Sequence, residues 1–74
     1  MKRYEIVVLG DAAMTLRAAF PDFDVCTRSV TTVLEGAIAD AMALEETIAG
    51  ILGLGLEIVE FREVQRTDRP QAAP

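Results

Sequence analysis

The 74-residue chain contains no histidine and no tryptophan, and Cys26 is its single cysteine. Histidine is the side chain that most often binds metals and transfers protons near neutral pH. A metal site or an acid–base catalytic site in this chain would therefore have to be built without its most common residue. One cysteine excludes an intrachain disulfide and a metal site built from several thiolates. No pair of carboxylates converges in the pattern either. We therefore expect no metal, no cofactor and no catalytic residues, and a protein that is not an enzyme.

Positive charge is also scarce, with seven Lys and Arg residues against twelve Asp and Glu residues and a net charge of −5. Nucleic acids and anionic membranes attract clustered lysine and arginine, so we expect neither as a partner. No stretch approaches the ~20 apolar residues of a membrane span. Lys2 and Arg3 lead directly into a strand pattern instead of the apolar run of a signal peptide. The expectation is a reduced, cytoplasmic domain.

Aromatic side chains are few, so a core must be built from Ala, Val, Ile and Leu; the aromatic residues are Tyr4, Phe20, Phe23 and Phe61. Hydrophobic residues make up 51% of the chain, which is enough for one small domain. A core of this size stabilises the folded state by only a few kcal/mol. Burying further surface in an oligomer would add to that, so we expect a homo-oligomer, most simply a dimer.

The apolar periodicity and the turn residues predict six elements in the order strand, helix, strand, strand, helix, strand. Asp11 and Asp40 are predicted helix N-caps, and Pro21 and Gly55 follow the ends of the same two helices. Gly10 and Gly36 are predicted to end the first and third strands, and the second strand, the most polar, is predicted to lie at a sheet edge. The apolar stripe of the second helix is predicted to be Ala41, Leu44, Ile48, Ile51 and Leu52.

This order of elements is the split βαβ arrangement of ferredoxin-like α+β domains. Two right-handed crossovers would place both helices on one face of a four-stranded antiparallel sheet, with the first and third strands central. We expect one domain over residues 1–64. Residues 65–74 show no periodicity and are expected to form a disordered tail.

The first and last strands carry apolar residues at both alternating positions, which a sheet with one solvated face does not need. In "LEIVEFREV", strict alternation puts Val59 and Phe61 on one side and Leu56 and Ile58 on the other. We expect an apolar open face that binds a second copy or a partner protein, formed by Val7, Leu9, Val59 and Phe61, or by the opposite set if the register is reversed. The alternative is that charged side chains cover these residues and no interface exists.

Two other functions stay open. The segment "LGDAAM" has the strand–glycine–helix order of a ligand loop, and ACT modules with this topology bind small molecules there; Gly10 and Asp11 are the candidate residues. Asp11 would repel a carboxylate ligand. A small dimeric α+β barrel enzyme would instead need a cavity between the sheet and the helices, and the scarcity of His and Tyr disfavours it.

Four segments resemble a family of short, uncharacterised bacterial proteins: "TTVLEG" at 31–36, Asp40, "AL" at 43–44 and "LGLEIVEFREV" at 54–64. The spacing of these blocks fits the family pattern without a gap. Three places depart from it, because Ala41 and Met42 replace the usual Gln-Ala, Glu45 replaces a His and Gly53 replaces an Asp. The resemblance implies the ferredoxin-like fold and a single domain, and it transfers no site residue.

Overall fold

The computed structural model describes residues 2–64, which form four strands and two helices. The strands are β1 (Lys2–Leu9), β2 (Asp24–Arg28), β3 (Thr31–Ile38) and β4 (Ile58–Val64), and the helices are α1 (Ala13–Ala19) and α2 (Ala41–Gly53). The strand order is β2-β3-β1-β4, and each neighbouring pair is antiparallel. The predicted ferredoxin-like α+β fold is confirmed, with β1 and β3 central. The predicted tail lies outside the described residues.

One face of the sheet carries both helices. Ile6 and Val8 of β1 are fully buried in a cluster with Leu34 of β3, Leu16 of α1 and Ile51 of α2. Burying a side chain such as Leu16 stabilises the fold by about 1.5–3 kcal/mol. Because one cluster contains residues from both helices and from both central strands, α1 and α2 pack against the same side of the sheet. We call that side the helix face and the other side the open face.

Helix α1 begins one residue later than a cap at Asp11 requires. Its N-cap residue is Ala12, and no side chain caps the helix, so the prediction that Asp11 caps it is wrong. The Ala12 N–H instead donates to Thr32 Oγ1 at 2.9 Å. The buried threonine therefore anchors the loop before the helix, and the Asp11 side chain stays exposed.

Strand β3 continues past Gly36 to Ile38, so the prediction that Gly36 ends the strand is wrong. The glycine is buried within the strand beneath the ring of Phe23. A Cβ at this position would lie 2.7 Å from Phe23 Cδ2, closer than carbon atoms approach without strain. The missing side chain makes room for an aromatic ring, a role that turn chemistry does not predict.

Helix α2 is capped as predicted, because Asp40 Oδ1 accepts a hydrogen bond from the Ala43 N–H at 2.9 Å. Gly55 follows the helix with φ of 83°, the left-handed conformation expected after a helix end. The predicted apolar stripe is only partly correct: Ile51 is fully buried, but Leu52 is 52% exposed. Within residues 2–64, neither helix is long and apolar enough to cross a membrane.

Candidate functional site

The register of the two central strands decides which side chains reach the open face. Ile6 and Val8 of β1 face the helices, so the residues between and beside them, Val7 and Leu9, face the opposite side. Val7 pairs with Val33 of β3, and Leu9 pairs with Thr31. The open face therefore carries the odd-numbered residues of both central strands.

A β-bulge in β4 explains why its sequence is apolar at both alternating positions. Ile58 pairs with Val8, but Glu60 pairs with the adjacent Val7, so Val59 is an extra residue in β4. Ile58 packs against the core, and Phe61 lies opposite buried Ile6. The two residues between them, Val59 and Glu60, therefore both lie on the open side. The strict alternation assumed from the sequence does not hold at this point.

Phe61 consequently lies on the helix face, and the prediction that it shares a face with Val7 and Leu9 is wrong. Its ring stacks on the ring of Tyr4, with centroids 5.3 Å apart and planes 11° apart. The side chain is still 38% exposed, because it sits on an edge strand. The contact of Phe61 with Tyr4 belongs to the packing of the fold. Strict alternation predicts both Val59 and Phe61 on the open face, but only Val59 lies there.

One half of the open face is covered by ion pairs. Arg3 Nε lies 3.2 Å from Glu35 Oε2, and Arg62 Nε lies 2.7 Å from Glu5 Oε1. Ion pairs at a protein surface stabilise a fold by about 0.2–1 kcal/mol each. Val33 lies on the open face beside Glu5 and Glu35 but is only 4% exposed.

The other half of the open face ends in exposed apolar side chains. Leu9 and Val59 are each 48% exposed. The Gly10 N–H donates to the Val30 carbonyl at 2.7 Å, so Val30, which is 69% exposed, lies in the turn beside the end of β1. We call Val7, Leu9 and Val59 the apolar end of the open face. All three residues were predicted from the sequence to form an interface, and that role stays a prediction.

Val30 was not among the predicted interface residues, because its position beside Gly10 depends on the long-range pairing of two strands. Ser29 and Val30 form a two-residue turn between β2 and β3, with Ser29 at φ of 48°, although Asn-Gly or Asp-Gly is the usual signal for such a turn. An exposed valine at a turn would have been noticed only after Gly10 had been placed opposite it. That placement depends on the pairing of β1 with β3.

The loop of Gly10 and Asp11 is held by hydrogen bonds within the chain. Thr32 Oγ1 donates to the Gly10 carbonyl at 2.6 Å, and Asp11 Oδ1 accepts from Thr27 Oγ1 at 3.4 Å. Gly10 has φ of 95°, so the glycine serves the backbone turn at the end of β1. These bonds engage the loop's own polar groups. Binding of a small molecule at Gly10 and Asp11 stays a prediction.

Apart from Arg28, the charged groups on the open face pair with each other. In the described part of the chain, no three His, Cys, Asp or Glu residues lie close enough together to hold a metal ion. Cys26 is exposed on the open face of β2, opposite Val33 of β3. The arrangement of residues 2–64 is thus one of surface contacts: ion pairs across half of the sheet and apolar side chains at its end.

A family model described as "Domain of unknown function (DUF8691)" matches residues 3–62. The matched range runs from Arg3 in β1 to Arg62 in β4, so it contains all or most of each of the six elements. No curated protein and no protein of solved structure matches the chain. The match agrees with the expected resemblance to an uncharacterised family, and the bacterial source of that family stays a prediction.

Proposed function

The chain belongs to the DUF8691 family, a domain family of unknown function, and we propose that it is a self-associating module in which two copies pack through the apolar ends of their open faces. The observation that supports this proposal is the position of Leu9 and Val59, each 48% exposed, at one end of the open face. Removing apolar surface from water stabilises a complex by about 25 cal/mol per Å². A second copy offers the same apolar end, so contact between two such ends is self-complementary.

The charge of the open face also favours a second copy as the occupant. The face carries three arginines and four carboxylates, which are Arg3, Arg28 and Arg62 and Glu5, Asp24, Glu35 and Glu60. Its formal charge is therefore −1, whereas the whole chain carries −5. Two copies that meet through this face avoid most of the repulsion between them, which the more acidic helix side would not allow.

The test is the absolute mass of the chain by light scattering over a concentration series. The native chain should form a dimer that dissociates on dilution, and Leu9→Glu or Val59→Glu should hold it monomeric. Met42→Glu is the matched control, because Met42 is an apolar residue that is even more exposed than Leu9, at 69% against 48%, and lies in the first turn of α2, away from the open face. If Met42→Glu dissociates the dimer as strongly as Leu9→Glu does, the apolar end is not the contact.

A further inference from the structure

Strand β2 forms one edge of the sheet and pairs with β3 alone in the described part of the chain. Arg28 and Thr31 flank the two-residue turn and pair with each other. Cys26 pairs with Val33 and Asp24 with Glu35, both of which lie on the open face. Since directly opposed residues share a face, Asp24, Cys26 and Arg28 all project from the open side of this edge.

The backbone of β2 has hydrogen-bonding groups that point away from β3. The Val25 carbonyl accepts from the guanidinium of Arg17 at 3.0 Å, a bond to a side chain of α1. In an antiparallel pair, residues whose backbone bonds to the neighbour alternate with residues whose backbone points outward. Arg28 and Cys26 belong to the first kind, since the residues that close a two-residue turn bond to each other. Val25 and Thr27 therefore present their N–H and C=O groups at the outer edge.

We propose that the edge of β2 pairs antiparallel with β2 of a second copy, about a two-fold axis at Cys26. In this register Asp24 lies opposite Arg28 of the second copy, and Arg28 lies opposite its Asp24. Cys26 lies opposite Cys26 of the second copy. Val25 lies opposite Thr27 of the second copy, so the outward N–H and C=O groups of the two strands can bond to each other. The sequence "DVCTR" is thus complementary to itself when reversed.

Charge selects this register over its neighbours. The Arg28 side chain makes no ion pair with any residue of 2–64, and the Asp24 side chain is 90% exposed, 3.8 Å from Arg3. Directly opposed charges of opposite sign stabilise paired strands. A shift of two residues in either direction would place Cys26 opposite Asp24 or opposite Arg28 and leave the remaining charge unpaired. Pairing about Cys26 joins both charges of both copies, and it requires Arg17 to release the Val25 carbonyl.

Cys26 supplies a direct measurement of this pairing. Opposed residues in antiparallel strands have Cα atoms about 4.5–5.5 Å apart, within the range that a disulfide spans. In a buffer of oxidised glutathione, two chain thiols and one glutathione disulfide give one Cys26–Cys26 disulfide and two glutathione thiols, by two successive exchange steps. The linked dimer is read on a non-reducing gel. Its yield should rise with protein concentration in the micromolar range and exceed that of the control at least about fivefold.

The control is the double variant Cys26→Ser/Met42→Cys, whose thiol takes the place of an exposed side chain on α2. Equal yields from the two proteins would overturn the proposal, because random collision would then explain the linkage. Asp24→Arg should lower the yield about fivefold, since it places like charges opposite each other. Asp24→Arg/Arg28→Asp exchanges the charges within each chain and should restore the yield. Failure of the exchanged variant to do so would contradict the register.

This contact uses residues other than the apolar end and does not depend on the proposed dimer. We expect it to be too weak to raise the mass measured by light scattering at micromolar concentration, so the disulfide, which traps the paired strands, is its readout. Leu9→Glu should abolish association through the apolar end and leave the Cys26 linkage at the native yield. If Leu9→Glu also abolishes the linkage, the β2 edge has no affinity of its own and the inference is wrong. If Leu9→Glu leaves both the mass and the linkage unchanged, the proposed function fails and the edge contact stands.

Discussion

Phe61 shows at the level of one residue how a side chain can look like part of an interface and serve the fold instead. Phe61→Ala should lower the free energy of unfolding by about 1–3 kcal/mol, less than for a fully buried phenylalanine, because the ring is 38% exposed but stacks on Tyr4. Urea unfolding would measure the loss. The mass of the folded protein should not change, and a monomer of native stability would instead place Phe61 in the association contact.

Gly36 and Gly53 are two glycines whose replacement should have opposite effects. Gly36→Ala places a Cβ 2.7 Å from the Phe23 ring, which is itself held edge-on against Phe20 at 5.9 Å between centroids, so the ring has little freedom to move away. We expect a loss of about 1–3 kcal/mol.

Gly53→Ala is the control for that experiment. Gly53 is the last residue of α2, with nothing within 4 Å of an added Cβ. Alanine favours helix by up to about 1 kcal/mol over glycine, so this variant should match or exceed the native midpoint in urea. If the two variants unfolded at the same denaturant concentration, the close approach of Phe23 to Gly36 would not matter to stability.

At the scale of elements, the order and type of all six were predictable, because apolar periodicity and turn residues are local signals. The bulge in β4 was not, since it depends on how Ile58 and Glu60 pair with neighbouring residues of β1. One inserted residue changed the face of every residue after it, and this removed Phe61 from the predicted interface. The exposure of Leu52 in α2 was also not predictable from local signals. Apolar periodicity predicts which side of a helix is buried, but it does not predict how far the sheet extends beneath that side.

Deletion of Val59 tests the bulge as an element. Without it, Ile58 would still pair with Val8 and Glu60 with Val7, now in one continuous register. We therefore expect the variant to fold, with a free energy of unfolding within about 1 kcal/mol of the native value, and to lose association because part of the apolar end is gone. Circular dichroism and light scattering on the same sample would show both. An unfolded deletion variant would mean that the bulge is needed for the pairing of β4.

At the scale of the whole molecule, one face of the sheet is covered by two helices, and the other carries ion pairs between its strands. Arg3 and Arg62 form ion pairs between neighbouring strands of this face, and Val33 within it is buried. They do not extend to Leu9 and Val59. A small core supplies only a few kcal/mol, so association through that uncovered end would raise the stability of the fold by mass action.

The most direct test of this account is the mass of the native chain beside Leu9→Glu and Met42→Glu, by light scattering from low to high micromolar concentration. We expect the native chain and Met42→Glu to approach twice the monomer mass at high concentration and Leu9→Glu to stay at the monomer mass throughout. A native chain that is monomeric at every concentration, or a Leu9→Glu variant that dimerises as the native chain does, would contradict self-association through the apolar end.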